Sequence, residues 1–252
     1  ILAKYLGFDF VDSAEVIFFN EKGIFDLERT VKVLSERLKK LEYAVIPGFY
    51  GTMPNGSVKT FSRGGSDITG SIVARAVNAK IYENWTDVSG FLVADPRIID
   101  NPAPITTITY RELRELSYMG ATVLHEDAIF PVRTAGIPIN IKNTNAPADR
   151  GTMIVANADD IIPPYTITGI AGKKGFCAIN IEKDMMNSEL GFGRKILEVL
   201  EGNNISFEHL PSGIDTMSVL VNENSMGGKA ERILQEIKTA TNPDHIELEH
   251  NI

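Results

Sequence analysis

Residues 43–85 read YAVIPGFYGTMPNGSVKTFSRGGSDITGSIVARAVNAKIYENW. Several structural signals follow one another here. Residues 43–49 form a short apolar run interrupted by Pro47-Gly48, which suits a buried strand opening into a loop. The Gly56 turn (PNGS) has alternating residues on either side, a hairpin signal. After Gly65, Ile68, Ile72, Val73, Ala76 and Val77 fall on one side of a helix. The AKIYENW run then returns to strand. Strand, helix and strand in this order predict an α/β domain with a mostly parallel sheet in a layered sandwich.

The pattern extends in both directions. Upstream, Leu27, Val31, Leu34, Leu38 and Leu41 step by four and three, one apolar stripe of a helix. Asp26 stands where an N-cap belongs. Downstream, residues 110–141 predict two helices broken near Gly120 and a strand from Ile137 to Ile141. Pro163-Pro164 marks a linker. The remainder reads β-α-β-β-α-β, the ferredoxin-like order, so a second, smaller domain is expected.

The chain has 252 residues, 43% apolar and 23% charged, which suits folded domains rather than disorder. A net charge of -8 argues against a general nucleic-acid or anionic-membrane binder. A single cysteine, Cys177, excludes an intramolecular disulfide framework and a cysteine-based metal site. It is expected to fill an apolar strand. The four histidines show no ligand spacing. No run reaches the roughly 18 apolar residues of a membrane span. With no signal peptide visible, the cytoplasm is the expected compartment. The chain begins without methionine and ends on a strand-like run, so a piece of a longer protein is expected.

Two stretches carry candidate chemistry. In the first, glycines beside Arg63 and Ser66 let backbone approach a ligand. The following helix start favours an anion. Arg63 can clamp a carboxylate, whereas Asp67 repels phosphate and attracts ammonium. Together they fit a zwitterion, an amino acid held by its α-carboxylate and α-amine. The same residues also fit a tight turn with a capping aspartate. In the second, WTDVSGFLVADPR (85–97), Thr86 and Asp87 follow a strand at its C-terminal end, where open α/β sheets bind ligands. Arg97 could reach phosphate. A Ser-Gly turn with a structural Asp-Pro is the alternative.

These stretches, with YRELRELSYMGATVLHEDAIFPV and IPINIKNTNAPADRGTMIV in the same order, closely resemble aspartate kinases of the amino acid kinase family. The resemblance runs along the whole chain. It implies the C-terminal part of a three-layer sandwich kinase domain over 1–157 and a ferredoxin-like ACT regulatory domain over 165–252. INIEKDMMNSELGFGRKILEVLE and ISFEHLPSGIDTMSVLV carry the second part. The implied reaction is phosphoryl transfer from ATP, with Mg²⁺, to the β-carboxylate of L-aspartate. Its product, 4-phospho-L-aspartate, leads to lysine, threonine, methionine and isoleucine.

By this resemblance, Phe49, Arg63, Ser66 and Asp67 surround L-aspartate. Thr86, Asp87 and Arg97 line the ATP site, with Leu92 where relatives often carry an aromatic residue. Asn145 stands where some relatives have a nucleotide-contacting lysine, with Lys142 nearby. A carboxylate acceptor is already ionised at neutral pH, so alignment and charge neutralisation should dominate catalysis. The family's N-terminal Lys-Phe-Gly-Gly loop and second ACT unit do not occur in the chain. No catalytic residue is therefore assigned, and the 252 residues alone are expected to have little or no activity.

Met186, Gly191, Phe192 and Asp215 are the implied contacts for an inhibitory amino acid, lysine or threonine. Gly191 and Gly193 flank a helix start that could hold a carboxylate, and Asp215 could pair with an ammonium. The GFG turn and the methionines also fit helix entry and core filling. Asp184, Asn187 and Glu189 lack metal-loop spacing and are expected at the surface. ACT domains commonly pair edge to edge, so a homodimer or higher assembly is expected. Two alternatives remain: a non-catalytic amino-acid-sensing regulatory subunit, and an amino acid kinase with another acceptor.

Overall fold

The structure is a computed structural model describing residues 1–62, 64–118, 124, 126–157 and 166–252, with only the backbone of 126–128. Two compact units divide the chain, Ile1–Gly172 and Lys173–Ile252. Gly120 and Pro163-Pro164, read as a helix break and a linker, lie outside the described residues.

In the first unit, the helix Leu27–Leu38 starts where the sequence places it. The Asp26 carboxylate accepts from the Arg29 N–H at 3.1 Å, satisfying one of the free donors of the first turn. Leu34 and Leu38 are buried, and Thr30 shares their face. The Thr30 hydroxyl accepts from the Phe18 N–H at 3.0 Å, so this polar residue ties the helix to the preceding segment. The expected hairpin pairs Tyr50–Thr52 with Val58–Thr60, and Gly56 supplies the left-handed turn position.

The helix Gly65–Ala76 follows, entered through Gly64 in the left-handed region. Ile68, Ile72 and Ala76 are buried, whereas Val77 is exposed at the helix end. Thr69, Ser71 and Ala74 are also buried, so the helix is enclosed on more than the predicted face. Ser71 accepts from the Val132 N–H at 3.3 Å, linking this helix to Glu126–Ala135.

The central sheet runs Tyr82–Thr86, Ile139–Asn143, Thr152–Val155, Thr107–Thr109. Its two outer pairings are parallel, but the middle pairing is antiparallel. The sheet is therefore mostly parallel, as expected, with one antiparallel pairing that the sequence reading did not specify. The connection over 144–151 is too short for a crossover and returns as a hairpin. Thr109 and Glu112 form a reciprocal capping box at the start of Tyr110–Tyr118: Thr109 N–H donates to Glu112 Oε2 at 2.9 Å, and Glu112 N–H donates to Thr109 Oγ1 at 3.2 Å. Ile72, Ile108, Leu113, Val132, Ile139, Ile141 and Ile154 fill the core between these elements.

The second unit has the strands Phe176–Glu182, Phe207–His209, Thr216–Asn222 and His245–Glu249 in an antiparallel sheet. Their spatial order is Phe207–His209, Thr216–Asn222, Phe176–Glu182, His245–Glu249. The helices Phe192–Gly202 and Ala230–Thr241 contribute Ile196, Leu200, Ile233 and Ile237 to the core. From the sheet come Ile179, Ile181, Val219 and Val221. Cys177 is fully buried beside them, and burial pushes its thiol pKa up. Among the described residues, no helix is long and apolar enough to cross a membrane.

Candidate functional site

The first candidate cluster forms where the hairpin meets the start of Gly65–Ala76. Close packing dictates its glycines. A Cβ at Gly48 would lie 3.0 Å from the Ser66 Cα, and one at Gly65 would lie 2.5 Å from the Phe49 ring. Phe49 itself has φ 85, an uncommon conformation for a bulky residue, and its side chain is exposed. Its N–H donates to Thr69 Oγ1 at 3.1 Å, and its carbonyl accepts from Phe61 N–H at 2.8 Å. Thr69 in turn donates to the Gly65 carbonyl at 2.8 Å. The strained residue is therefore pinned from both sides at the helix entrance. Ser66 is exposed and Asp67 half-buried in the helix's first turn. Arg63 lies outside the described residues.

Asp67 is held from the neighbouring strand. Asn84 Nδ2 donates to its Oδ1 at 2.9 Å and to the Tyr82 hydroxyl at 3.0 Å. The Tyr82 hydroxyl donates to the Asp67 main-chain carbonyl at 3.3 Å. Burial, the dominant effect, pushes the Tyr82 phenol up to about 12; the Asn84 hydrogen bond opposes that rise and the Asp67 charge adds to it. Sequence reading missed Tyr82 and Asn84. Strand alternation was the available signal, since both share the face buried under the helix.

The second cluster sits at the C-terminal ends of two adjacent parallel strands, where Thr86 pairs with Asn143. The Thr86 hydroxyl donates to Asp87 Oδ1 at 3.2 Å. Thr144, not singled out from the sequence, donates its N–H and hydroxyl to the Thr86 carbonyl at 2.8 and 2.9 Å. The Asn145 N–H donates to Asn143 Oδ1 at 2.8 Å, leaving its side chain at this strand-end loop. Thr86, Asp87 and Asn145 thus come together. Lys142 has its ammonium 5.5 Å from the Trp85 ring centroid and donates to the Asp149 carbonyl.

Leu92 and Arg97 lie further along the loop. Leu92 is exposed and bridges to Pro104. Arg97 is paired within its own turn: its guanidinium forms a fork with Asp95, with Nη2 2.6 Å from Oδ2 and Nε 3.0 Å from Oδ1. Hydrogen bonding to Arg97 holds the Asp95 carboxyl down to about 2. Asn84 lies two residues before Thr86 on one strand, so the same strand supports both clusters.

In the second unit, Met186 and Phe192 face the core, and Gly191 caps the helix Phe192–Gly202 with φ 78. Asp215 organises the loop by accepting from the Met185 N–H at 2.9 Å. Glu189 joins Lys183 and Lys195, each at 2.6 Å, and hydrogen bonds to both hold its carboxyl below the usual range. Among the described residues, no group of three or more His, Cys, Asp or Glu side chains can hold a metal ion.

The profile of the amino acid kinase family matches residues 12–143. The chain belongs to the amino acid kinase family. That match spans the hairpin, the Gly65–Ala76 helix and the paired strand ends at Thr86 and Asn143, so it contains the first cluster and stops just before Thr144 and Asn145 of the second. Aspartokinase 3 of Bacillus subtilis is 40% identical over 262 aligned residues, covering 100% of this chain and 57% of that relative. A solved aspartate kinase from Clostridium acetobutylicum is 59% identical, with a TM-score of 0.88, over 98% of this chain and 57% of its own. Escherichia coli aspartokinase III, solved in complex with lysine and aspartate, shares the fold at 22% identity and a TM-score of 0.68, over 96% of this chain and 55% of its own. The chain spans about half the length of the curated relatives it matches.

Proposed function

We propose that the chain is part of an aspartate kinase, with residues 1–157 from the three-layer kinase domain and 165–252 as a ferredoxin-like ACT domain. The 40% identity that extends along the whole chain to an aspartokinase carries this reading. Phe49, Arg63, Ser66 and Asp67 bind L-aspartate. Asp67 receives the α-ammonium, while Arg63 and the helix entrance receive carboxylate. The non-catalytic sensor is less well supported, because the family match over 12–143 contains the whole acceptor cluster.

Thr86, Asp87, Leu92, Arg97 and Asn145 receive ATP at the strand ends. Arg97 reaches phosphate by exchanging its Asp95 partner, an exposed pair with little net stability to lose. Mg²⁺ would enter with the nucleotide, held chiefly by phosphate oxygens with Asp87 as the adjacent carboxylate, and would neutralise phosphoryl charge. The chain's residues align an acceptor that is already ionised, so no proton has to be removed from it.

In the second unit, an inhibitory amino acid, lysine or threonine, binds at Gly191 and Asp215. Met186 and Phe192 shape that loop from the core side. The open edges of Phe207–His209 and His245–Glu249 support pairing of two copies. The kinase reading is tested with the gene product carrying this chain, by trapping the acyl phosphate with hydroxylamine. ATP-dependent hydroxamate formed from L-aspartate, and lost in Asp67→Asn, supports it. Activity confined to another acceptor rejects it.

A further inference from the structure

The Asn84 amide is 7% exposed, on a strand where its neighbour in register is the fully buried Ile141. A neutral amide is costly there unless its donors are used. Both Nδ2 hydrogens are used, one on Asp67 Oδ1 and one on the Tyr82 hydroxyl. An amide orients a carboxylate without neutralising it. A lysine or arginine in its place would compete with a ligand cation for the same charge. Among the described residues, Asn84 supplies the side-chain donor to this carboxylate.

Tyr82 completes the support. Its phenol remains protonated across the working pH range and links the amide to the Asp67 main chain. Gly70 makes this possible, because a Cβ there would lie 2.6 Å from the Tyr82 hydroxyl oxygen.

We propose that Asn84 is a positioning residue that fixes the Asp67 carboxylate to receive the α-ammonium of the acceptor. It thereby sets preference for amine-bearing over amine-less dicarboxylates. The inference rests on the reading of Asp67 as part of the acceptor site.

The test compares KM for L-aspartate with the competitive Ki of succinate, the same dicarboxylate without the amine. It uses the gene product carrying this chain. Asn84→Leu should raise KM for L-aspartate on the order of tenfold, the scale of one charge-assisted hydrogen bond, and leave the succinate Ki within about twofold. Asn84→Asp, nearly isosteric, should bind L-aspartate worse as pH rises and the introduced carboxyl ionises, because the second carboxylate repels the first and displaces it from its position. A merely structural residue would shift both ligands together and give no such pH response.

A folded Asn84→Leu with unchanged KM, or with KM and Ki raised equally, overturns the inference and leaves the site standing. If that variant does not fold, a flat pH response in Asn84→Asp overturns it. Unchanged preference for L-aspartate over succinate in Asp67→Asn overturns both the site reading and the inference.

Discussion

Replacing Thr69 by valine keeps the volume and removes one hydroxyl. Thr69 is 3% exposed, and its oxygen accepts from the Phe49 N–H at 3.1 Å and donates to the Gly65 carbonyl at 2.8 Å. The Gly65 carbonyl retains its helical partner, so little is lost there. The Phe49 N–H loses its acceptor, and an unmade bond to a partly buried donor costs about 1–3 kcal/mol. Phe49 also sits at φ 85, a conformation that costs about 1–3 kcal/mol and persists only while its surroundings impose it. Some of that strain is relieved when the tether goes, which offsets part of the loss. The net expectation is about 1.5 kcal/mol of destabilisation.

Trp85, the chain's single tryptophan, lies in the unit Ile1–Gly172 and reports its unfolding by fluorescence. Urea titration of Thr69→Val should show the midpoint lowered with an unchanged slope. On heating, Tm should fall by about 3–6 °C for a unit of this size. A midpoint and Tm equal to those of the parent would refute the claim that Thr69 holds Phe49 in its strained conformation.

Other consequences follow from neighbouring contacts. Gly70→Ala should weaken the same unit by about 1–3 kcal/mol despite better helix propensity, because the new Cβ meets the Tyr82 hydroxyl; the tryptophan-monitored urea midpoint checks this. Ile179→Ala should lower the stability of Lys173–Ile252 by about 2–5 kcal/mol, read by circular dichroism of that unit, since Ile179 is fully buried in its sheet. The Glu189 carboxyl is held down by Lys183 and Lys195, so its stabilisation is fully present above the ordinary carboxylate value and lost as pH falls through its lowered folded value. Glu189→Gln should therefore lower Tm near neutral pH and lose that effect in acid; equal Tm differences at both pH values would contradict the pairing.

Local signals transferred well from sequence to structure. The four-three stepping of Leu34 and Leu38, with Asp26 before it, located the helix because period and cap are properties of adjacent residues. The Gly56 hairpin was legible for the same reason. The two parallel pairings agree with the alternation of strands and helices, whereas the one antiparallel return of Thr152–Val155 beside Ile139–Asn143 was not legible, because it depends on which strands meet in space. The first cluster shows the same division. Glycines and Asp67 stood out together, whereas Asn84 reaches Asp67 from 17 residues away and reads in the sequence as an ordinary strand position. Met186 and Phe192 had two readings in the sequence, ligand contact and core filling or helix entry; both side chains are buried, while Asp215 accepts from the Met185 N–H in the loop.

The proposed acceptor site turns on Asp67 receiving the amine of an amino acid. A crystal structure of the gene product carrying this chain, grown with L-aspartate and a non-hydrolysable ATP analogue, tests it most directly. The α-nitrogen of L-aspartate should lie within roughly 2.7–3.2 Å of an Asp67 oxygen, with Asn84 still on Oδ1. L-aspartate bound elsewhere, or presenting a carboxylate rather than its amine to Asp67, would contradict it.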